Sequence, residues 1–243
     1  MKGVVLAGGL GTRLNPLTKI TNKHLLPIYK KPMIFYPIEM LAQAGIKEVL
    51  IVTGGNNAGD FLRLIGNGKQ FGLRHLEYTY QEGEGGIADA LSLAEDFVDG
   101  HKFTVVLGDN LLEKGIRHGV EAFQNQPEGA RIFLKEVDHP WEYGIATVEG
   151  KRITQIIEKP KDSPSNLAVI GVYMYPADVF DFIKGLTPSA RGELEITDVN
   201  NRYIAQGAMQ YDLVDGWWMD AGENAEALLM ANLTVARMEG VAI

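Results

Sequence analysis

An apolar run, Gly3-Val4-Val5-Leu6-Ala7, is met at once by Gly8-Gly9-Leu10-Gly11-Thr12-Arg13-Leu14. A run this short reads as a buried strand, and the glycines after it let the chain turn sharply. With no Cβ in the way, successive backbone N–H groups of such a loop can approach an anionic phosphate. The same glycines also serve ordinary tight turns, so the loop alone leaves both readings open. A Walker loop is excluded because no Gly-Lys-Ser/Thr follows, and a dinucleotide fingerprint because no third glycine stands at or beside Asn15. The run is too short for a signal peptide, and no other segment reaches about eighteen uninterrupted apolar residues. The expectation is a cytoplasmic protein that makes no membrane contact.

β-rich runs at Val4–Ala7, Val49–Thr53, Leu76–Tyr80 and Thr104–Leu107 alternate with helical patterns. Ile87, Leu91, Ala94 and Val98 place one apolar stripe on a single helix after the third strand, which is βαβ order. A first helix within Pro32 to Ala44 starts at one of the two prolines, Pro32 or Pro37. After Ala130 strands dominate: Arg131–Val137, Ile145–Val148, Ile153–Ile157 and Ala168–Tyr175, fitting a mixed sheet edge or a small β lobe. A helix from Asn224 to about Met238, with Ala225, Leu228, Leu229, Val235 and Ala236 on one face, closes the chain. The predicted class is α/β: a Rossmann-like three-layer fold with a mostly parallel mixed sheet and a small β-rich lobe. One domain spans 1–243, with halves at about 1–130 and 131–243.

A net charge of −8 argues against general nucleic-acid binding. Its distribution says more. No acidic residue occurs from Met1 to Ile38, while Lys2, Arg13, Lys19, Lys23, Lys30 and Lys31 all fall there. Cysteine is absent, which leaves any metal to oxygen or imidazole ligands, and the five histidines are scattered without ligand spacing.

The loop continues as Arg13-Leu14-Asn15-Pro16-Leu17-Thr18, Asn22-Lys23-His24-Leu25-Leu26-Pro27-Ile28 and Lys31-Pro32-Met33. Later blocks are Gln81 to Ala90, Leu107-Gly108-Asp109-Asn110, Tyr143-Gly144, Glu158-Lys159-Pro160, Pro188 to Asp198 and Trp218-Met219-Asp220-Ala221-Gly222. Together they resemble the signature of the sugar nucleotidyltransferases, nearest to their glucose-1-phosphate thymidylyltransferase branch in a short form. The short form leaves regulation through a longer carboxy-terminal segment without support. Departures are Glu84 where proline is common, His24 where glutamine or proline is common, and Ile170 where threonine is common.

The resemblance implies transfer of a nucleotidyl group from dTTP to glucose 1-phosphate, giving dTDP-glucose and pyrophosphate for rhamnose-type deoxysugar or polysaccharide synthesis, in a homodimer or homotetramer. It assigns Arg13, Lys23 and Lys159 to catalysis. Leu6, Gly8, Gly9, Gly11, Gln81, Gly86 and Asp109 go to the nucleotide, where the Gln81 amide offers both a donor and an acceptor to a pyrimidine. Asn110, Tyr143, Gly144, Glu158, Lys159, Val169 and Glu193 go to the sugar phosphate. Asp109 and Asp220 go to one Mg2+. Read alone, Glu158-Lys159 is an exposed ion pair and Asp220 a turn former. Thr197 and Asp198 read equally as helix caps or sugar contacts.

Three rivals remain: a uridylyl-, cytidylyl- or guanylyltransferase of the same family, a non-catalytic sugar-nucleotide sensor, and a nicotinamide-linked oxidoreductase. Retained Arg13, Lys23, Asp109 and Asp220 argue against the second, and the missing third glycine against the third.

Overall fold

A computed structural model describes Met1–Ile243, apart from the side chain of Asn56. Its strands are β1 (Lys2–Ala7), β2 (Pro27–Ile28), β3 (Lys31–Pro32), β4 (Glu48–Gly54), β5 (His75–Gln81), β6 (Phe103–Leu107), β7 (Asn110–Leu112), β8 (Ala130–Glu136), β9 (Gly144–Glu149), β10 (Arg152–Glu158), β11 (Leu167–Tyr175), β12 (Met209–Leu213) and β13 (Trp218–Asp220). The helices are α1 (Phe35–Gln43), α2 (Ala58–Ile65), α3 (Ile87–Ser92), α4 (Glu95–Val98), α5 (Arg117–Asn125), α6 (Val179–Lys184), α7 (Ile196–Ala205) and α8 (Ala225–Met238).

Strands β5, β4, β1 and β6 run parallel, in that order. The interior residues of β4, β1 and β6 are buried on both faces, which explains why the first strand reads as an unbroken apolar run, whereas β5, at the sheet edge, carries exposed Glu77 and Tyr80. Strand β11 then pairs antiparallel with β6 and forks, pairing with β8 along one stretch and β9 at Ala168. The strands after Ala130 therefore build the mixed edge of the same sheet. One apolar cluster joins α3, α4, α6 and α7 to one face, and a second joins α1, α2 and α5 to the other, which makes three layers.

Several local expectations change. Helix α1 starts between the two prolines, with Pro37 in its first turn, where a missing N–H costs nothing because no intrahelical acceptor exists for it. The stripe Leu91, Ala94 and Val98 is fully buried as expected, but its helix is broken into α3 and α4, joined by a tighter Ala94 N to Leu91 O bond. In α8, Ala225 and Leu229 face solvent, the latter 58% exposed, and the buried stripe is Ala231, Val235 and Ala236. The run length was legible; which of two adjacent leucines faced inward was not. No helix of the described residues is long and apolar enough to cross a membrane.

Helix α5 carries a buried glycine whose absent side chain is structural: a Cβ on Gly119 would strike the Phe133 ring and lie 3.0 Å from Asp212 Oδ2. Helix propensity favours Ala over Gly by about 0.5–1 kcal/mol, whereas overpacking costs about 1–3 kcal/mol, so packing wins. Gly119→Ala is expected to lower Tm by about 2–6 °C. An unchanged or raised Tm in a thermal melt would show that the Phe133 contact yields freely.

Candidate active site

All four parallel strands end on one edge of the sheet, where open α/β sheets leave a crevice for ligands. The glycine loop leaves β1 there, Gln81 ends β5, and Asp109 follows β6 by two residues. Between these ends and the mixed edge lies a cleft of about 360 Å³. It is lined by Leu6, Gly8, Gly9, Arg13, Lys23, Gln81, Gly86, Asp109, Asn110, Tyr143, Gly144, Glu158, Lys159, Val169, Glu193 and Asp220. Only Gly11 among the expected site residues stands off the wall. It enters the short 3₁₀ turn Thr12–Leu14 in a left-handed conformation, and its carbonyl accepts from the Thr18 hydroxyl at 2.8 Å.

At the loop end of the cleft, that turn carries Arg13, and a second turn, Lys23–Leu25, carries Lys23. Buried Asn22 fixes the second turn: its Oδ1 accepts from His24 N at 2.9 Å, and its Nδ2 donates to Ala7 O at 3.3 Å. His24, 2% exposed, has its Nδ1 2.7 Å from Asn22 Oδ1. Burial, and then the Lys23 charge, push its pKa down to about 3, so a neutral imidazole is part of the frame. Glu84 accepts a hydrogen bond from Leu10 N at 3.1 Å and so ties the loop after β5 to the glycine loop.

Gln81 is 5% exposed, and its Nε2 donates to Gly86 O at 3.2 Å and to Asp89 Oδ2 at 2.7 Å. Its donor is therefore committed within the protein, and only the carbonyl remains for a ligand, a correction to the two-sided amide expected. Gly86 has φ 94°, and a Cβ there would lie 2.7 Å from Leu194 O. The position needs glycine so that 193–194 from the second half can close on the loop, through Leu194 N to Gly85 O at 2.8 Å and Ala88 N to Leu194 O at 3.2 Å.

Two carboxylates and one lysine form the centre. Strands β13 and β7 pair antiparallel with Asp220 opposite Asn110, and Ala221 N donates to Asp109 O at 2.9 Å. This short ladder brings together two aspartates more than a hundred residues apart. Lys23 Nζ is 2.5 Å from Asp109 Oδ2. Burial opposes the Asp109 charge, yet the Lys23 ammonium and the hydrogen bonds from Lys23 and Asn110 outweigh it, leaving this carboxyl well below the usual range. Asp220 goes the other way: burial and then the Asp109 charge push it up. Among the described residues Asp220 has no cation within salt-bridge distance, and its Oδ1 accepts from Gly222 N at 3.0 Å. Two hard carboxylates sharing one ammonium are short of positive charge.

Asn110 is 1% exposed, and its side chain is engaged throughout: Oδ1 accepts from Gly171 N at 2.9 Å and Trp218 Nε1 at 2.7 Å, while Nδ2 donates to Asp109 Oδ1 at 3.0 Å. Its amide thus orients Asp109 from the cleft wall.

At the mixed edge, Lys159 follows β10 with φ 43°, a left-handed conformation unusual for a residue with a side chain, held by Lys159 N donating to Tyr143 O at 3.0 Å. Tyr143 donates to Glu223 Oε2 at 2.7 Å. Thr197 and Asp198 do not cap. Glu195 occupies the N-cap of α7, so Thr197 sits within the first turn and donates to Glu158 Oε2 at 2.6 Å. Arg191, absent from the expected site, also lines the cleft and lies 2.7 Å from Glu195, 3.3 Å from Glu193 and 3.6 Å from Glu158. Its signal was the excess of acids around it in 191–195.

The chain matches the nucleotidyl transferase family over residues 2–237. It is 42% identical over 237 residues to the low-salt glycan biosynthesis nucleotidyltransferase Agl11 of Haloferax volcanii, covering 97% of this chain and 66% of that protein. It is 41% identical to an Actinoplanes glucose-1-phosphate thymidylyltransferase, over 100% of this chain and 81% of the relative. A Bacillus anthracis structure described as a glucose-1-phosphate thymidylyltransferase in complex with sucrose superposes with TM-score 0.93 at 46% identity, covering 100% of this chain and 97% of that one. UDP-glucose pyrophosphorylase with bound UDP-glucose follows at TM-score 0.86 and 27% identity, covering 98% of both chains. With its glycine loop, its paired aspartates and its sequence matched almost end to end, this chain belongs to the nucleotidyl transferase family.

Proposed function

We propose that the chain joins dTTP and glucose 1-phosphate into dTDP-glucose with release of pyrophosphate. The observation that carries this reading is the order of groups along one cleft: Gln81 and the glycine loop at one end, Glu158 and Lys159 on the mixed edge at the other, and the two aspartates between. The thymidylyltransferase relatives near 40% identity support the base and sugar, with UDP-glucose pyrophosphorylase more distant. Residues 1–130 serve the nucleotide and 131–243 the sugar phosphate.

A sugar-phosphate oxygen attacks the α-phosphorus, forming one P–O bond as the bond to pyrophosphate breaks. Both partners are anions, so positioning and charge neutralisation dominate. Arg13 and Lys23 take the triphosphate charge, the guanidinium fork suiting phosphate oxygens. Lys159 takes the sugar's phosphate, and Glu158, held by Thr197, accepts from a sugar hydroxyl. The charge-deficient carboxylate pair fits a hard divalent cation, so Asp109 and Asp220 would hold Mg2+ with substrate phosphates completing its oxygen shell. That ion supplies charge neutralisation at the transferring phosphoryl group.

Pyrophosphate release with glucose 1-phosphate and each of dTTP, UTP, CTP and GTP tests the reading. Highest kcat/KM with dTTP is expected, and a preference for UTP, CTP or GTP would sink it. No turnover of any of the four would favour the sensor. Gln81→Ala should lower kcat/KM for dTTP and erode its preference over CTP by about tenfold. A variant with both unchanged would remove Gln81 from the base site.

A further inference from the structure

The Gln81 amide has one allowed orientation. The two groups beside its Nε2, Gly86 O and Asp89 Oδ2, can only accept hydrogen bonds, so the NH2 group must face them and Oε1 must face away. Oε1 points at the glycine loop, 2.7 Å from the place a Gly8 Cβ would take, and accepts no hydrogen bond among the described residues. Of the two constraints the carboxylate is the stronger, at 2.7 Å against 3.2 Å and with a full charge on the acceptor. The loop is shaped around it: a Cβ on Gly85 would lie 2.5 Å from both Asp89 Cγ and Oδ2.

We propose that Asp89 is a positioning residue for base selection, locking Gln81 with its carbonyl toward the base so that the cleft accepts a pyrimidine carrying a ring N3–H and rejects cytosine. Thymine and uracil present N3–H to that carbonyl, whereas cytosine N3 sets a lone pair against a lone pair. An aspartate specifies this one way because it cannot donate, while an asparagine could turn round and let Gln81 turn with it. The inference rests on the reading of Gln81 as the base contact.

The test compares kcat/KM for dTTP, UTP and CTP, at saturating glucose 1-phosphate and magnesium, in wild type, Asp89→Asn, Asp89→Ala, Gly85→Ala and Gln81→Ala. The dTTP:CTP ratio should fall about tenfold in Asp89→Ala, severalfold in Asp89→Asn, and in the same direction in Gly85→Ala, where the new methyl pushes the carboxylate aside. The dTTP:UTP ratio should stay within about twofold, because both bases carry N3–H. Adding Asp89→Ala to Gln81→Ala should lower the ratio no further, since the two side chains act as one unit. A merely structural role for Asp89 would slow all three nucleotides alike, and that result in the near-isosteric Asn variant overturns the proposal even if the Ala variant folds poorly. If Gln81→Ala erases selection while the Asp89 variants keep it, Asp89 alone is wrong. If Gln81→Ala also keeps it, the base contact itself is wrong, and the inference falls with it.

Discussion

Asp109→Asn and Asp220→Asn should each slow turnover by about a hundredfold or more, the usual cost of removing an electrostatic stabiliser from a transferring phosphoryl group. Both changes keep the side-chain shape. At Asp109 the change also leaves the ammonium of Lys23, 2.5 Å away, facing an amide instead of its carboxylate. The double variant should be little slower than either single one, because two carboxylates proposed to hold one ion act as a unit. Stability should separate from rate. Asp220 is pushed up by burial and by the Asp109 charge, so neutralising it relieves repulsion, and Asp220→Asn should melt no lower than wild type while its activity collapses. Pyrophosphate release and a thermal melt on the same preparation check both halves. Excess chelator should stop the wild type and magnesium restore it. A fast Asp220→Asn enzyme, or full activity in chelator, would return Asp220 to an ordinary turn.

Lys159→Ala should reduce kcat/KM for glucose 1-phosphate by about ten- to a hundredfold, since a hydrogen-bonded charge contact is worth about 1.5–3 kcal/mol. The KM for dTTP should change by no more than about threefold, because the proposed partner of the Lys159 ammonium is the sugar's phosphate alone. The left-handed backbone at φ 43° is the structural reason to expect a site there: the conformation costs energy, and the bond to Tyr143 O maintains it. Lys159→Arg should rescue poorly, because a longer planar fork does not fit a place built for a compact point charge. Equal losses for both substrates would place Lys159 in the frame instead of on the sugar phosphate.

The central parallel strands were legible because they are buried on both faces and write themselves as apolar runs at Val4, Val49 and Thr104. The break between α3 and α4 was not, since the stripe Leu91, Ala94 and Val98 keeps its burial across a tightened turn that the periodicity does not register. In the site, every expected residue but Gly11 lines one cleft. What escaped were side chains acting on other side chains. Thr197 reads equally as a cap or a sugar contact by residue type, but chain geometry puts Glu195 at the cap and leaves the hydroxyl for Glu158. The Gln81 donor looked free because nothing in the sequence pairs it with Asp89 eight residues later. Asn110 looked like a ligand contact because its three frame partners include Gly171 and Trp218, far along the chain.

The ladder between Trp218–Asp220 and Asn110–Leu112 has a consequence for how the protein comes into being on the ribosome. The glycine loop, Gln81 and Asp109 leave the exit tunnel early, and the sheet core that carries them can condense as synthesis proceeds from the amino terminus. The second carboxylate arrives only when Asp220 has been made, so a nascent or prematurely released chain can present the glycine loop without the aspartate pair. A chain halted before Trp218 lacks the strand that pairs with Asn110–Leu112, and with it the second carboxylate of the pair.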